Sequence, residues 1–307
     1  SGLVAHGVDT VFGLPGAQIY GLFDGFHQAQ LKVIGARHEQ ACGYMAFGYG
    51  RSTGRPGVYS VVPGPGLLNT TAALATGWGC NTPMVCLTGQ IPSAYIGKRR
   101  GHLHEIADQL GTLKSLVKWA ERIQRPADAP ALVAEAFRQA QSGRPGPVAL
   151  EMAWDVMADS EVVPDAVAGV RDAPPKPDAA MISHAANLIR SARMPIIMTG
   201  SGAQHAGAEI ACLAEAIGAP VAAFRGGRGA VDEVGPWGLS SYAAFRLYGD
   251  CDLVIAIGTR LEMPTMRWGN MMQVMAGLDG GRKLIRIDID PAETTRLVAD
   301  AGIVADS

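Results

Sequence analysis

Short apolar runs that end in a glycine-containing turn and hand over to a helix set the terms for this chain. Thr10-Val11-Phe12-Gly13 runs into Leu14-Pro15-Gly16-Ala17, and helical spacing follows at Ile19, Leu22, Phe23 and Phe26. Val33-Ile34-Gly35-Ala36 gives way to Arg37-His38-Glu39 and then to a helix with Cys42, Met45, Ala46 and Tyr49 on one face. Val58 to Val62 ends in Pro63-Gly64-Pro65-Gly66 ahead of a small-residue helix from Leu67 to Trp78. Met84 to Leu87 ends in Thr88-Gly89-Gln90. A polar, glycine-rich loop spans Ile91 to His104, a helix is expected from Pro130 to Ala140, and Val148-Ala149-Leu150 is a further strand. Strands that alternate with helices pair in parallel and are covered on both faces. Sheets of that kind hold their ligands outside the C-terminal strand ends.

The pattern stops and restarts once. Residues 159–178 contain four prolines (164, 174, 175 and 177) and no periodicity, so they read as an interdomain linker. Beyond it come a helix from Ala180 to Ile189 and a strand from Pro195 to Met198 that closes on Thr199-Gly200-Ser201-Gly202. A helix from Ala208 to Ile217 and strands at Pro220 to Phe224, Leu253 to Ile257 and Leu284 to Ile289 follow. The expected organisation is a first α/β domain over 1–158, the linker, and a second α/β domain over 179–307. Both are doubly wound parallel sheets. At 307 residues, with 48% apolar and 18% charged, the chain is long enough for two such cores.

Charge and cysteine usage exclude some partners. A net charge of −2 gives nucleic acid nothing to hold. No apolar run is long enough to span a bilayer, and no segment reads as a signal peptide. Cysteines 42, 80, 86, 212 and 251 are odd in number and form no CxxC, which fits free thiols in a reducing, cytoplasmic setting. His102 and His104 stand without a nearby cysteine, and no metal site is assigned to them.

In the second domain, Gly200-Ser201-Gly202 lies between a strand and a helix as a dinucleotide fingerprint would. The third glycine would fall at His205, however, and the next strand ends at Arg225 instead of an acid, so the nicotinamide pattern fails. Arg225-Gly226-Gly227-Arg228-Gly229 follows a strand and is a candidate anion contact. The first domain is more informative. Glu39 falls in the first turn of its helix, where a carboxylate is favoured, and glycines that let a ligand approach the backbone surround it in sequence order. One carboxylate among apolar and glycine residues suits a flat, uncharged heterocycle with a basic nitrogen.

The motifs VFGLPG (11–16), RHEQA (37–41), GPGLLN (64–69), TP (82–83) with LTGQ (87–90), and SGRPGPV (142–148) together resemble the pyrimidine-binding domain of thiamine-diphosphate enzymes of the acetolactate synthase group. The second domain resembles the Rossmann-like middle domain of the same enzymes, down to Ile287-Asp288-Ile289-Asp290-Pro291-Ala292-Glu293. The resemblance implies that Glu39 hydrogen-bonds the cofactor's aminopyrimidine and relays a proton. It also implies that Gly16, Ala17, Pro63, Gly64, Gly66, Asn69 and Gln90 surround the cofactor. The departures are local. A Phe-Gln-Glu run common in that group is Leu103-His104-Glu105 here, Pro63 stands where Ser or Thr is usual, and Leu261 to Pro264 differ from the segment that contacts flavin after Gly258-Thr259-Arg260.

What the resemblance implies is a thiamine-diphosphate lyase or transferase that decarboxylates a 2-oxo acid such as pyruvate and ligates the product to a second 2-oxo acid. A simple decarboxylase or a carbon–carbon hydrolase on the same scaffold stays open, as does a non-catalytic nucleotide-binding or regulatory module. Arg100, His102 and His104 are expected to face the substrate as cationic groups. Gly200, Ser201, Gly202, Arg225, Gly226, Gly227 and Arg260 are expected to contact FAD or ADP. Magnesium and the diphosphate belong, in that family, to a C-terminal domain absent from these residues. A second subunit is expected to complete the site in a homodimer or homotetramer.

Overall fold

The computed structural model describes residues 1–264 and 281–307. It divides into two compact units, Ser1–Asp172 and Ala173–Ser307. In the first, the strands are β1 (Thr10–Leu14), β2 (Lys32–Gly35), β3 (Gly57–Val61), β4 (Met84–Gln90), β5 (Trp119–Ile123) and β6 (Pro147–Ala153). They pair in parallel in the order β2-β1-β3-β4-β6-β5. Alternate residues feed two cores. Phe12, Tyr59, Met84 and Cys86 enter one, and Val11, Val58, Val85 and Leu87 the other. A sheet buried on both faces needs this near-continuous apolar reading, and β3 and β4 are buried along their whole length.

The helix Glu39–Thr53 carries Gly43, Gly48 and Gly50, each of which costs a helix about 1 kcal/mol relative to Ala. Packing explains two of them. A Cβ on Gly43 would lie 2.7 Å from the Ala73 Cβ, and one on Gly50 would lie 2.8 Å from the Pro83 carbonyl oxygen. The helix therefore presses against its neighbours at backbone distance, and it ends at Gly54 in the left-handed region.

The second unit holds β7 (Pro195–Thr199), β8 (Val221–Ala223), β9 (Gly238–Leu239), β10 (Leu253–Ile257), β11 (Lys283–Asp288) and β12 (Ala301–Val304). Their order is β12-β11-β10-β7-β8-β9, with every pairing parallel among the described residues. Ile197, Ile255 and Ile285 fill one face and Met198, Val254 and Leu284 the other.

Several expectations shift at the edges. The helix expected from Leu67 to Trp78 is two pieces, Pro65–Asn69 and Thr71–Gly79. They are joined at buried Thr70, whose hydroxyl donates to the Leu67 carbonyl. Thr88-Gly89-Gln90 continues β4 instead of leaving it. β5 carries Glu121 and Arg122 and shows no apolar run, which hid it from a hydropathy reading. The stretch expected to begin the linker is fastened to the first unit. Glu161 pairs with Arg125, Asp172 with Arg138, and the Gly169 N–H donates to His6 Nε2 at 2.6 Å.

Candidate functional site in the first unit

In the first sheet the chain goes from β1 to β2 on one side and returns to β3 on the other. The topological switch point therefore lies between β1 and β3, and the crevice outside it is where such sheets take ligands. Both flanking turns converge on Val62. A Cβ on Gly16, after β1, would lie 2.4 Å from Val62 Cγ1, and a Cβ on Gly66, after β3, would lie 2.4 Å from Val62 Cγ2. Neither position has room for a side chain, because the Val62 side chain already fills the space. Gly64 takes φ +59, and a Cβ there would meet the His104 carbonyl oxygen at 2.3 Å. Glycine is required at that turn on both counts.

Glu39 enters from the neighbouring strand end. The Ala36 N–H donates to the Gly13 carbonyl, extending the β2 register by one residue before the chain turns. His38 caps the helix, its Nδ1 accepting from the Gln40 N–H at 3.2 Å. Glu39 is the first helical residue and is half-buried. Its Oε2 accepts from Asn69 Nδ2 at 2.9 Å, and its Oε1 would be 3.6 Å from a Cβ on Gly66. Glu39 thus forms one wall with Gly66 and with Asn69, which lies thirty residues away in sequence. Burial and the Glu39 charge together push the Cys42 thiol up to about 11, so it stays protonated.

Beneath the turns lies a polar network that no motif signals. Glu151 of β6 is fully buried. Its Oε1 is paired with Arg122 at 2.6 Å, and its Oε2 accepts from Gln109 Nε2 at 2.8 Å and from Gln90 Nε2 at 3.3 Å. Gln109 is 1% exposed and also donates to the Gly89 carbonyl while accepting from the Gly64 N–H at 2.8 Å. It therefore ties the ends of β3, β4 and β6 together. Gln90, expected beside the cofactor, turns its amide into this network. The sequence sign for these groups is single polar residues within strands or at the start of a helix, which is too common to select them.

The loop after β4 is ordered by its own polar groups. The Glu105 carboxylate accepts from the Gly101 and His102 N–H groups at 2.7 and 3.0 Å. Burial opposes its ionisation, but the N–H groups of His102, Gly101 and Arg100 prevail and hold the carboxyl below its ordinary value. His102 packs its ring against Tyr95, with centroids 4.2 Å apart. Arg100 is exposed. His104 and Leu103 both bond to Gln18, which directly follows Gly16-Ala17. Ser93, at the start of the loop, is held by Asp155, so the loop is fastened at both ends.

The second unit brings its predicted residues together at its own switch point, between β7 and β10. The Gly202 N–H donates to the Gly258 carbonyl at 3.1 Å, and a Cβ on Gly200 would lie 2.2 Å from that oxygen. A Cβ on Gly226 would meet Ser201 at 2.9 Å, and one on Gly227 would meet the Thr199 carbonyl oxygen at 2.4 Å. Arg225 lies over Phe224 and pairs with Glu262 at 3.4 Å, so its charge is partly spent within the unit. Arg260 gives its carbonyl to Arg296. Among the described residues no group of three His, Cys, Asp or Glu side chains stands close enough to hold a metal ion, and no helix is long and apolar enough to cross a membrane.

Comparison with known proteins places both units in one family. The family model described as thiamine pyrophosphate enzyme, N-terminal TPP binding domain, matches residues 1–112, and the model described as the central domain of the same enzymes matches residues 182–307. An acetolactate synthase of Arthrospira platensis is 34% identical over 98% of this chain and 54% of its own length. An acetolactate synthase large subunit of Parasynechococcus marenigrum is 36% identical over 98% of this chain and 50% of its own length. A probable 2-ketoarginine decarboxylase of Pseudomonas aeruginosa is 33% identical over 94% and 51%. The chain thus spans about half the length of the curated relatives it matches. Among solved structures, a putative thiamin diphosphate-dependent enzyme from Mycobacterium smegmatis superposes with a TM-score of 0.84 at 24% identity, covering 99% of this chain and 59% of its own. Benzoylformate decarboxylase from Polynucleobacter necessarius gives 0.83 at 24%, covering 99% and 57%. At that identity the likeness establishes the fold.

Proposed function

The chain belongs to the thiamine pyrophosphate enzymes, carrying their N-terminal cofactor-binding domain and their central domain, and on that premise we propose that it serves decarboxylation of a 2-oxo acid such as pyruvate followed by ligation to a second 2-oxo acid. The observation that carries the proposal is Glu39. It is a half-buried carboxylate at the switch point, fixed by Asn69 and walled by two glycine turns that admit no side chain. Thiamine diphosphate, when bound, supplies the carbon nucleophile and the electron sink that decarboxylation needs.

The residues present suit the pyrimidine end of that group. Space beside Glu39 Oε1 is kept open by the missing side chain of Gly66, and a flat ring with a basic nitrogen fits against the glycine turns. Asn69 occupies Oε2 and leaves Oε1 as the oxygen that holds the proton shared with the ring nitrogen. Gly16, Ala17, Pro63 and Gly64 form the rest of the cradle. Arg100 at the exposed loop attracts a carboxylate substrate. We assign the diphosphate and its magnesium to a further C-terminal domain facing this one from a second subunit. The greater length of the relatives leaves room for that domain, and magnesium asks for hard oxygen ligands. The glycine turns of the second unit would receive FAD or ADP. Free cysteines fit a cytoplasmic setting.

A second reading, a decarboxylase without ligation, is favoured by one observation. Leu103-His104-Glu105 replaces the Phe-Gln-Glu run in the loop that reaches the substrate. Full-length protein given pyruvate, thiamine diphosphate and magnesium separates the two. Acetolactate with carbon dioxide supports ligation, acetaldehyde supports simple decarboxylation, and the absence of turnover on a panel of 2-oxo acids overturns both. Glu39→Gln is expected to lower turnover by about 10²–10⁴, the usual contribution of a positioned acid–base group, without loss of thermal stability. Near-normal turnover in that variant removes Glu39 from the mechanism.

A further inference from the structure

Gln18 is 4% exposed and stands directly after Gly16-Ala17. Its Nε2 donates to the Leu103 carbonyl oxygen at 2.8 Å, and its Oε1 lies 2.8 Å from His104 Nδ1. These two contacts settle the hydrogen positions. A backbone carbonyl only accepts, so the amide atom facing Leu103 has to be the NH₂ group. The amide oxygen, which also only accepts, is then left facing His104. Nδ1 must carry the hydrogen of that bond. A neutral imidazole with its hydrogen on Nδ1 has a lone pair on Nε2. Among the described residues Nε2 makes no hydrogen bond.

The backbone holds the ring in this place. His104 takes φ +67, and its carbonyl oxygen packs where a Cβ on Gly64 would be. Glu105, held by the Gly101 and His102 N–H groups, fixes the next residue. His104 thus belongs to the same wall as the glycine turns around Glu39.

We propose that Gln18 is a positioning residue that keeps a hydrogen on His104 Nδ1, and that Nε2 of that ring in its neutral form is the proton acceptor of this site. The proposal rests on the function proposed above for the site as a whole. It changes the role expected from sequence, since a neutral acceptor receives a hydroxyl or water proton and does not attract a carboxylate. When Nε2 takes a proton, the donor O–H bond breaks, an N–H bond forms, and the electron pair stays on the donor oxygen. The ring becomes an imidazolium whose Nδ1–H still donates to Gln18, so the latch survives both states, and the proton then leaves to water. Water is the only co-reactant required.

The test reads the ring directly. Histidine-selective nitrogen labelling with long-range proton–nitrogen NMR distinguishes the two tautomers, and His104→Asn identifies the His104 signals. The Nδ1–H form is expected to exceed the other by about tenfold, the effect of one net hydrogen bond near the upper end of its usual range. Gln18→Leu is expected to lose that excess. In turnover, Gln18→Leu is expected to fall by about 10², within the range of acid–base contributions. A neutral ring carrying its hydrogen on Nε2 in the wild-type protein overturns the proposal. So does a Gln18→Leu variant with the tautomer changed and turnover intact. If the Nδ1–H ring is found but no 2-oxo acid turns over, the function proposed for the site fails while the assignment of the tautomer stands.

Discussion

Replacing Gln109 with Leu removes one amide of nearly the same volume, and the structure says what that amide was doing. Its Oε1 takes the Gly64 N–H, and its Nε2 gives to the Gly89 carbonyl and to Glu151. All of these groups are buried, so water does not replace the lost partner. An orphaned buried N–H costs about 1–3 kcal/mol, and a hydrogen bond to a charged group is worth about 1.5–3 kcal/mol. Arg122 still pairs with Glu151, so the carboxylate is weakened and not stranded. The expected loss is about 3–5 kcal/mol. For a unit the size of Ser1–Asp172, 1 kcal/mol moves the melting midpoint by about 2–4 °C. The midpoint should therefore fall by about 10 °C, read by scanning calorimetry on the first-unit transition. Hydrogen exchange at the Gly64 amide should accelerate more than exchange in β2. Gln109→Glu is a sharper perturbation, because it keeps the acceptor for Gly64 but sets a carboxylate against Glu151. A Gln109→Leu midpoint within about 2 °C of wild type, with unchanged protection at Gly64, would refute the reasoning.

Two further outcomes follow from single contacts. Gly66→Ala puts a methyl 2.4 Å from Val62 Cγ2, an overpacking that costs about 1–3 kcal/mol. Adding Val62→Ala should recover thermal stability, while cofactor affinity measured by calorimetry on the full-length protein stays low because the methyl still stands beside Glu39. Glu135 has its carboxyl lowered to about 2 by the hydrogen bonds of Arg138, which also holds Asp172. A depressed carboxyl contributes stability above its unfolded value of about 4.3 and loses it as the pH falls toward the folded value. The melting midpoint of the first unit should thus drop between about pH 4.5 and 2, more steeply than in Glu135→Gln. The pair is about one-third exposed, so added salt should shrink the difference.

What was legible in the sequence was what depends on neighbours along the chain. Apolar runs with terminal glycines marked most of the strands, since a buried strand and a tight turn each demand residue types within a few positions. The run from Arg37 to Gly54 showed where a carboxylate would enter a helix, because the helix N-terminus is a local property. The parallel pairing followed from the alternation of strands and helices alone. β5 escaped because its identity rests on β6. Arg122 is tolerable in a strand because Glu151 lies across from it.

The sequence by itself determined two α/β units, a carboxylate in the first turn of the helix that begins at Glu39, and the glycine turns at the neighbouring strand ends. Tertiary structure alone decided the strand order, and with it which turns share a crevice. Gly16 and Gly66 become neighbours only because β3 returns to the far side of β1 and places Val62 between them. It also decided the orientation of three buried amides. Gln18, Gln90 and Gln109 are indistinguishable in sequence, since a glutamine both donates and accepts. Each one has a partner on a strand or loop between 20 and 86 residues away. That is why the proton on His104 could not be placed until the Leu103 carbonyl was seen to hold the other end of Gln18.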